Sequence, residues 1–185
     1  MRLIKLFIVS VLIFCILGFL LSLMLPSNAS SERSGSINAP TSTVYEQISN
    51  FKNWHNWNPW SPGYNDKSGL TLKSMSTPSH GVGATFTYVN TSNQEEGTVK
   101  ILESDPATGI KYEVTFQGMK PMIGTIQIKP TTGDANGTAI RWVLETNVGM
   151  MPWWKVRGFV MDRLYGPYIE QGLNHLSTVC ETGSK

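Results

Sequence analysis

Three hydrophobic patterns succeed one another along the chain, and each predicts a different kind of element. From Leu6 to Leu25 twenty residues pass without a charge, fifteen of them Leu, Ile, Val or Phe, so this segment is apolar on every face. As a helix it would extend about 30 Å, the thickness of a bilayer's hydrocarbon core. Fifteen such side chains at ~0.4 kcal/mol each favour insertion by about 6 kcal/mol. Pro26 to Gly35, rich in Ser and Asn, then reads as a tether.

The second pattern is helical and short. Ser36 to Asn38 close a brief strand, and Ala39-Pro40-Thr41 opens a helix with Val44, Tyr45, Ile48 and Phe51 on one stripe. Thr43 and Glu46 stand at capping-box spacing. Trp54, Trp57 and Trp60 follow at intervals of three and end at Pro59 and Pro62, which predicts one or two helical turns whose rings either grip a ligand or, the favoured reading, plug one end of the sheet.

The third pattern alternates. Six strands are predicted near 70–76, 83–90, 95–104, 108–117, 122–130 and 137–147, separated by Gly, Pro and Asn clusters. Ile110, Tyr112, Val114 and Phe116 alternate with Lys111, Glu113, Thr115 and Gln117, giving the sheet one dry face and one wet face. Ala84, Phe86 and Tyr88, then Ile126 and Ile128, then Ile140, Trp142 and Leu144 are the matching inward sets. After Pro152 the helical period returns and holds to about Thr182. Trp153, Val156, Val160 and Leu164 follow one face of this last helix, whereas Tyr165, Ile169, Gly172, Leu176 and Cys180 follow another. That slip of about 100° falls at Gly166-Pro167, so a bend of more than about 20° is expected there, with the preceding half as a gate. The class is α+β: an antiparallel sheet wrapped around a long C-terminal helix, preceded by one transmembrane helix. The chain divides into an anchor over 1–25, a tether over 26–35 and one domain over 36–182.

Composition narrows the function. Apolar types make up 41% and aromatics 10% against 15% charged, which excludes disorder and puts many rings in the core. Net charge is +2, but Arg2 and Lys5 precede the apolar run, and the remainder carries 13 charges of each sign. No basic stripe exists to neutralise phosphates, so nucleic acid is excluded as a partner. The two early cations place the N-terminus in the cytoplasm and the domain outside it, in a single-pass arrangement. Ser27-Asn28-Ala29 would suit a signal peptidase, but the apolar run exceeds the 7–15 residues of a signal peptide, which favours an anchor.

Candidate chemistry is sparse. Cys15 and Cys180 lie at opposite ends of the chain and read as packing residues. His55, His80 and His175 each lack a second ligand at metal spacing, so no metal, cofactor or catalytic group is assigned. His55, flanked by tryptophans, is the one that could be partly buried. Arg141 and Glu145 fall outward as a solvated cross-strand pair. Inward tyrosines differ in kind, since a buried phenol needs a partner and can offer its hydroxyl to a ligand. Phe86, Tyr88, Tyr112, Phe116, Trp142, Met161, Leu164 and Tyr165 are the candidate ligand-binding residues. Met150 to Trp154 reads as a lid or as a patch for the membrane interface.

Ile37-Asn-Ala-Pro40, Phe51-Lys-Asn-Trp54, Trp57-Asn-Pro-Trp60, Gly81-Val-Gly83, Thr138 with Trp142, and Gly166-Pro-Tyr-Ile-Glu-Gln-Gly-Leu173 together resemble the polyketide cyclase/dehydrase branch of the START-like (SRPBCC) superfamily, over nearly all of residues 32 to 182. The resemblance implies a helix-grip fold around a deep apolar pocket. It implies no single activity, because one fold hosts many functions. The leading expectation is a membrane-anchored, non-catalytic binding domain for a hydrophobic small molecule or lipid. Its alternatives are a cyclase or dehydratase using Tyr88 or Tyr112 as acid, and an interaction module with a collapsed pocket and an unassigned protein partner.

Overall fold

A computed structural model of the chain describes residues 2–23, 27–64, 69–117, 120–131, 134–149 and 160–183. Helix α1 (Arg2–Leu23) exposes every described side chain, so the domain leaves its apolar faces uncovered. Its Ile4–Leu21 window has a mean hydropathy of 2.8, and it is the one helix among the described residues long and apolar enough to cross a membrane, a test that a signal sequence also passes.

Seven strands form one antiparallel sheet: β1 (Asn28–Ile37), β2 (Leu70–Met75), β3 (Thr85–Asn90), β4 (Glu96–Asp105), β5 (Gly109–Phe116), β6 (Met122–Thr131) and β7 (Asp134–Asn147), in the order β1-β7-β6-β5-β4-β3-β2. Alternation assigned the faces correctly: Ala84, Phe86, Tyr88, Ile110, Tyr112, Ile126, Ile128, Ile140, Trp142 and Leu144 are all buried. The first strand differs from expectation. Residues 28 to 37 pair along their whole length with β7, so what reads as tether is an edge strand from Asn28 onward. Its inward positions are small, Ala29 and Ser31, and both are buried, which lets a helix lie close against them.

Helix α2 (Thr41–Ser49) begins one residue after Pro40 and has no side-chain cap. The Thr43–Glu46 capping box therefore does not form, because the backbone N–H groups of Thr43 and Val44 already bond to the Pro40 carbonyl. A 3-10 helix (Phe51–Asn56) follows, as the tryptophan spacing and the prolines beyond it require.

Helix α3 (Met161–Thr182) runs the length of the sheet and continues through Pro167. Met161, Gly166, Ile169, Gly172, Leu173, Leu176 and Cys180 are buried and Tyr165 partly so, a single stripe from end to end. The slip inferred from the sequence resolves differently: Val160 and Leu164 are 38% and 55% exposed, so the two apolar faces need not meet the same sheet and no compensating irregularity is required. Residues 153 to 159, the rest of the expected gate, lie outside the described residues, as does the Met150 to Trp154 patch.

Register defines two ends. Asn28, Asn147, Met122, Phe116, Gly97, Asn90 and Leu70 share one end of the sheet; Ile37, Thr138, Gly109 and Asp105 share the other. Helix α3 runs parallel to β1. At its start Ser31 and Arg33 hold Asp162, and near its finish the Asn38 N–H donates to Glu181 Oε1 at 3.1 Å. We call these the proximal and distal ends, the proximal being where the chain arrives from α1.

Candidate functional site

A cavity of about 560 Å³ lies between the sheet, α3 and the segment from Trp54 to Tyr64. That is within the range of small-molecule sites, roughly 300–1,000 Å³. Its walls come from the proximal and middle rows of the sheet, and no residue of α2 contributes. A collapsed interior, one of the expectations from sequence, is therefore not what the fold contains.

Two glycines help explain why large rings leave this space open. Tyr88 pairs with Gly97 across β3–β4, and Tyr112 with Gly124 across β5–β6. A Cβ at Gly97 would stand 2.3 Å from Tyr88 Cζ, and one at Gly124 would stand 2.1 Å from Tyr112 Cζ. Each ring thus lies across its neighbouring strand instead of standing up into the interior, an arrangement that only a missing side chain permits.

The two phenols differ in what they do. Tyr112 is fully enclosed: its hydroxyl accepts from Trp142 Nε1 at 2.9 Å, and its ring meets Trp54 edge-on at 5.1 Å. Burial raises its pKa, partly opposed by the bond from Trp142. Tyr88 is pushed up to about 12, by burial first and then by the nearby Tyr165 hydroxyl. Both stay protonated at neutral pH, so they are donors and not anions. Asn58, 2% exposed, accepts from the Trp60 N–H at 3.0 Å through Oδ1. Tyr64 lines the cavity too, and its hydroxyl is hydrogen-bonded to His175 Nδ1 on α3.

Of the eight residues singled out from the sequence, Phe86, Tyr88, Tyr112, Phe116 and Tyr165 line this one cavity. Trp142 is fully buried behind the wall and acts on it through Tyr112. Met161 is buried in the core off the wall. Leu164 corrects the expectation: it is exposed and off the wall, because it belongs to the apolar face of α3 that turns away from the sheet. The alternation rule could not supply Asn58, Trp60, Tyr64 or Tyr168, which reach the cavity from a loop and from a helix turn. The Trp-x-x-Trp spacing was the signal for Trp60 alone: Trp57 fills the core, Trp54 is buried and also lines the cavity, and Trp60 is half-buried and faces it.

Other groups fall away from it. His55 is exposed, with Nδ1 2.7 Å from the Lys52 carbonyl, and His80 is exposed as well. Arg141 does face outward, but its partner is Glu32 of β1, bound through two nitrogens at 2.5 and 2.6 Å, and not Glu145. Cys180 is buried with its thiol pushed up to about 12 by desolvation, while Cys15 is exposed along α1.

Chemically the wall is neutral. Glu95 and Glu96 are its carboxylates; both are exposed at the rim, and Glu96 is paired with Lys73. Among the described residues no group of three His, Cys, Asp or Glu is placed to hold a metal. Such a lining can bury an apolar body and hydrogen-bond one polar end of it.

A family model described as polyketide cyclase / dehydrase and lipid transport matches residues 28–181, starting at the first residue of β1. No curated protein matches the chain. Among solved structures, protein CV1439 from Chromobacterium violaceum is similar with a TM-score of 0.58 at 18% identity, over 83% of this chain and 98% of that one. SA2116 from Staphylococcus aureus has a TM-score of 0.58 at 10% identity, over 85% and 97%. DynU16, from the dynemicin biosynthetic locus, has a TM-score of 0.53 at 16% identity, over 84% of this chain and 48% of its own. At such identities the likeness is one of fold, the helix-grip arrangement of sheet and long helix.

Proposed function

The chain belongs to the polyketide cyclase/dehydrase and lipid transport family, and from that membership together with its cavity we propose that it is a membrane-tethered binding domain that holds a hydrophobic small molecule or lipid without transforming it. One observation carries this reading: a cavity of about 560 Å³ whose buried wall is, apart from Asn58, apolar and aromatic, with its carboxylates out at the rim. Burial of apolar surface would supply the affinity, at about 25 cal/mol per Å² before the cost of association. The phenols would orient the ligand.

An enzymatic role for Tyr88 or Tyr112 is disfavoured by the same burial. A general acid works best with a pKa near the working pH, and desolvation moves both phenols the other way. The anchor is α1, with the N-terminus in the cytoplasm and residues 28–183 outside; a mature chain beginning at Ser30 would overturn the tether. The test of binding is a fluorescence titration of the full chain in detergent with an apolar probe such as aminoanthracene. Saturable binding that is displaced by lipid and weakened in Val114→Trp, which fills the cavity, is expected. Binding unaffected by Val114→Trp would place the probe elsewhere and overturn the reading.

A further inference from the structure

The cavity and the apolar helix meet at the same end of the domain. Cavity-lining residues Leu70, Asn90, Gly97, Phe116 and Met122 all stand in the proximal rows, where β1 begins at Asn28. Leu23, the last residue of α1, is five residues before Asn28, so the two lie no more than about 18 Å apart even when the chain is fully extended. The distal end is a strand length further on, about 30 Å along β1.

A second observation points the same way. Val160, Leu164 and Tyr168 advance by four along the start of α3 and are 38%, 55% and 50% exposed, an apolar stripe facing solvent. Outside α1, two further large apolar residues among those described are this exposed: Leu72, beside Tyr88 on β2, and Val82. Val82 alone sits distally, in the turn whose Gly81 N–H bonds to Ser49 at the end of α2. Tyr168 belongs both to the stripe and to the cavity lining.

We propose that the domain rests on the lipid surface by its proximal end, with Val160, Leu164 and Tyr168 in the interface and the cavity mouth opening toward the bilayer that α1 crosses. The ligand then passes between bilayer and cavity without crossing bulk water. The partner is a lipid surface and not a second protein, because the tether is too short to lift the proximal end more than about 18 Å from the end of α1. The inference rests on the tethered binding reading above.

The test uses the full chain with Cys15→Ser, reconstituted in phosphatidylcholine vesicles, with an environment-sensitive fluorophore on Leu164→Cys or, separately, on Val82→Cys. Lipids bearing a nitroxide on the headgroup serve as quencher. Severalfold quenching at position 164 and almost none at 82 is expected. Equal quenching at both, or more at 82, would overturn the orientation. Aminoanthracene binding by the same variants in detergent separates the two claims. Bound probe with an unquenched position 164 removes the orientation alone, and failure to bind removes the binding reading itself.

Discussion

The distal and proximal ends of the sheet are built from the same alternation of apolar and polar residues, yet one is solid and the other hollow. At the distal end α2 and the start of the 3-10 helix lay Val44, Ile48 and Phe51 onto the inward face, and Trp57 and Trp54 carry that packing up to the cavity, which Trp54 also lines; all five are at most 2% exposed. Thr138, fully buried, fixes the entry to α2 by donating to the Ala39 carbonyl at 2.7 Å. At the proximal end no helix is inserted, and Gly97 and Gly124 let two tyrosines lie flat on the sheet. Cavity and core therefore differ in what covers the sheet and in where side chains are absent, not in hydrophobic pattern.

The largest effect should come from aromatic truncation at each end. Trp57→Ala at the solid end should lower unfolding free energy by about 3–5 kcal/mol, since its ring packs against Trp54 and Trp142 and cannot be replaced by water. Phe116→Ala, half-buried on the cavity wall, should lower it by about 1 kcal/mol or less, because it opens no new void. Chemical denaturation of the full chain in detergent measures both, and equal losses would erase the distinction between the ends.

The glycines sharpen it. Gly124→Ala should destabilise by about 2–3 kcal/mol, because Tyr112 is enclosed and cannot swing away without losing its bond from Trp142. Gly97→Ala should change stability by less than about 1 kcal/mol, because Tyr88 can turn into open space, but it should weaken probe binding roughly tenfold as the ring takes up the volume. If Gly97→Ala left both stability and binding intact, the flat tyrosine would not be what keeps the cavity open.

The smallest effect concerns the clasp between β1 and α3. Arg33, and then Ser31, hold the Asp162 carboxyl below its ordinary value of 3.8. Its contribution is fully present above that value and is lost as pH falls through the lower folded one. The pair is partly exposed, at 33% and 56%, so solvent limits it to less than about 1 kcal/mol. Asp162→Asn should remove that small increment at pH 7 and flatten the acid limb of the stability profile. An unchanged limb would show that the clasp contributes nothing. Gly166 belongs to the same contact, since a Cβ there would stand 2.1 Å from the Arg33 guanidinium.

The strands and their faces were legible because large apolar residues recur at every second position, as in Phe86 and Tyr88, Ile110 and Tyr112, Ile126 and Ile128, and Ile140, Trp142 and Leu144. The edge strand β1 was not, because its inward residues are Ala29 and Ser31, whose size is set by the approach of α3 and leaves no hydrophobic period to read. The fate of Leu164 was hidden for a related reason: periodicity reports which residues share a helix face, not which face meets the sheet. Five of the eight candidate site residues line the cavity, since inward alternation locates a wall. It cannot locate Asn58, Trp60 and Tyr64, whose positions depend on how a proline-rich turn packs over that wall.

The central claim, that the hollow end holds a molecule, is tested most directly by native mass spectrometry of the full chain purified in detergent from the cells that make it. The expected result is a retained apolar molecule of drug-like size on the wild-type chain, released unchanged by organic solvent and absent from Val114→Trp. A wild-type chain carrying nothing, or equal retention by the filled variant, would contradict the account.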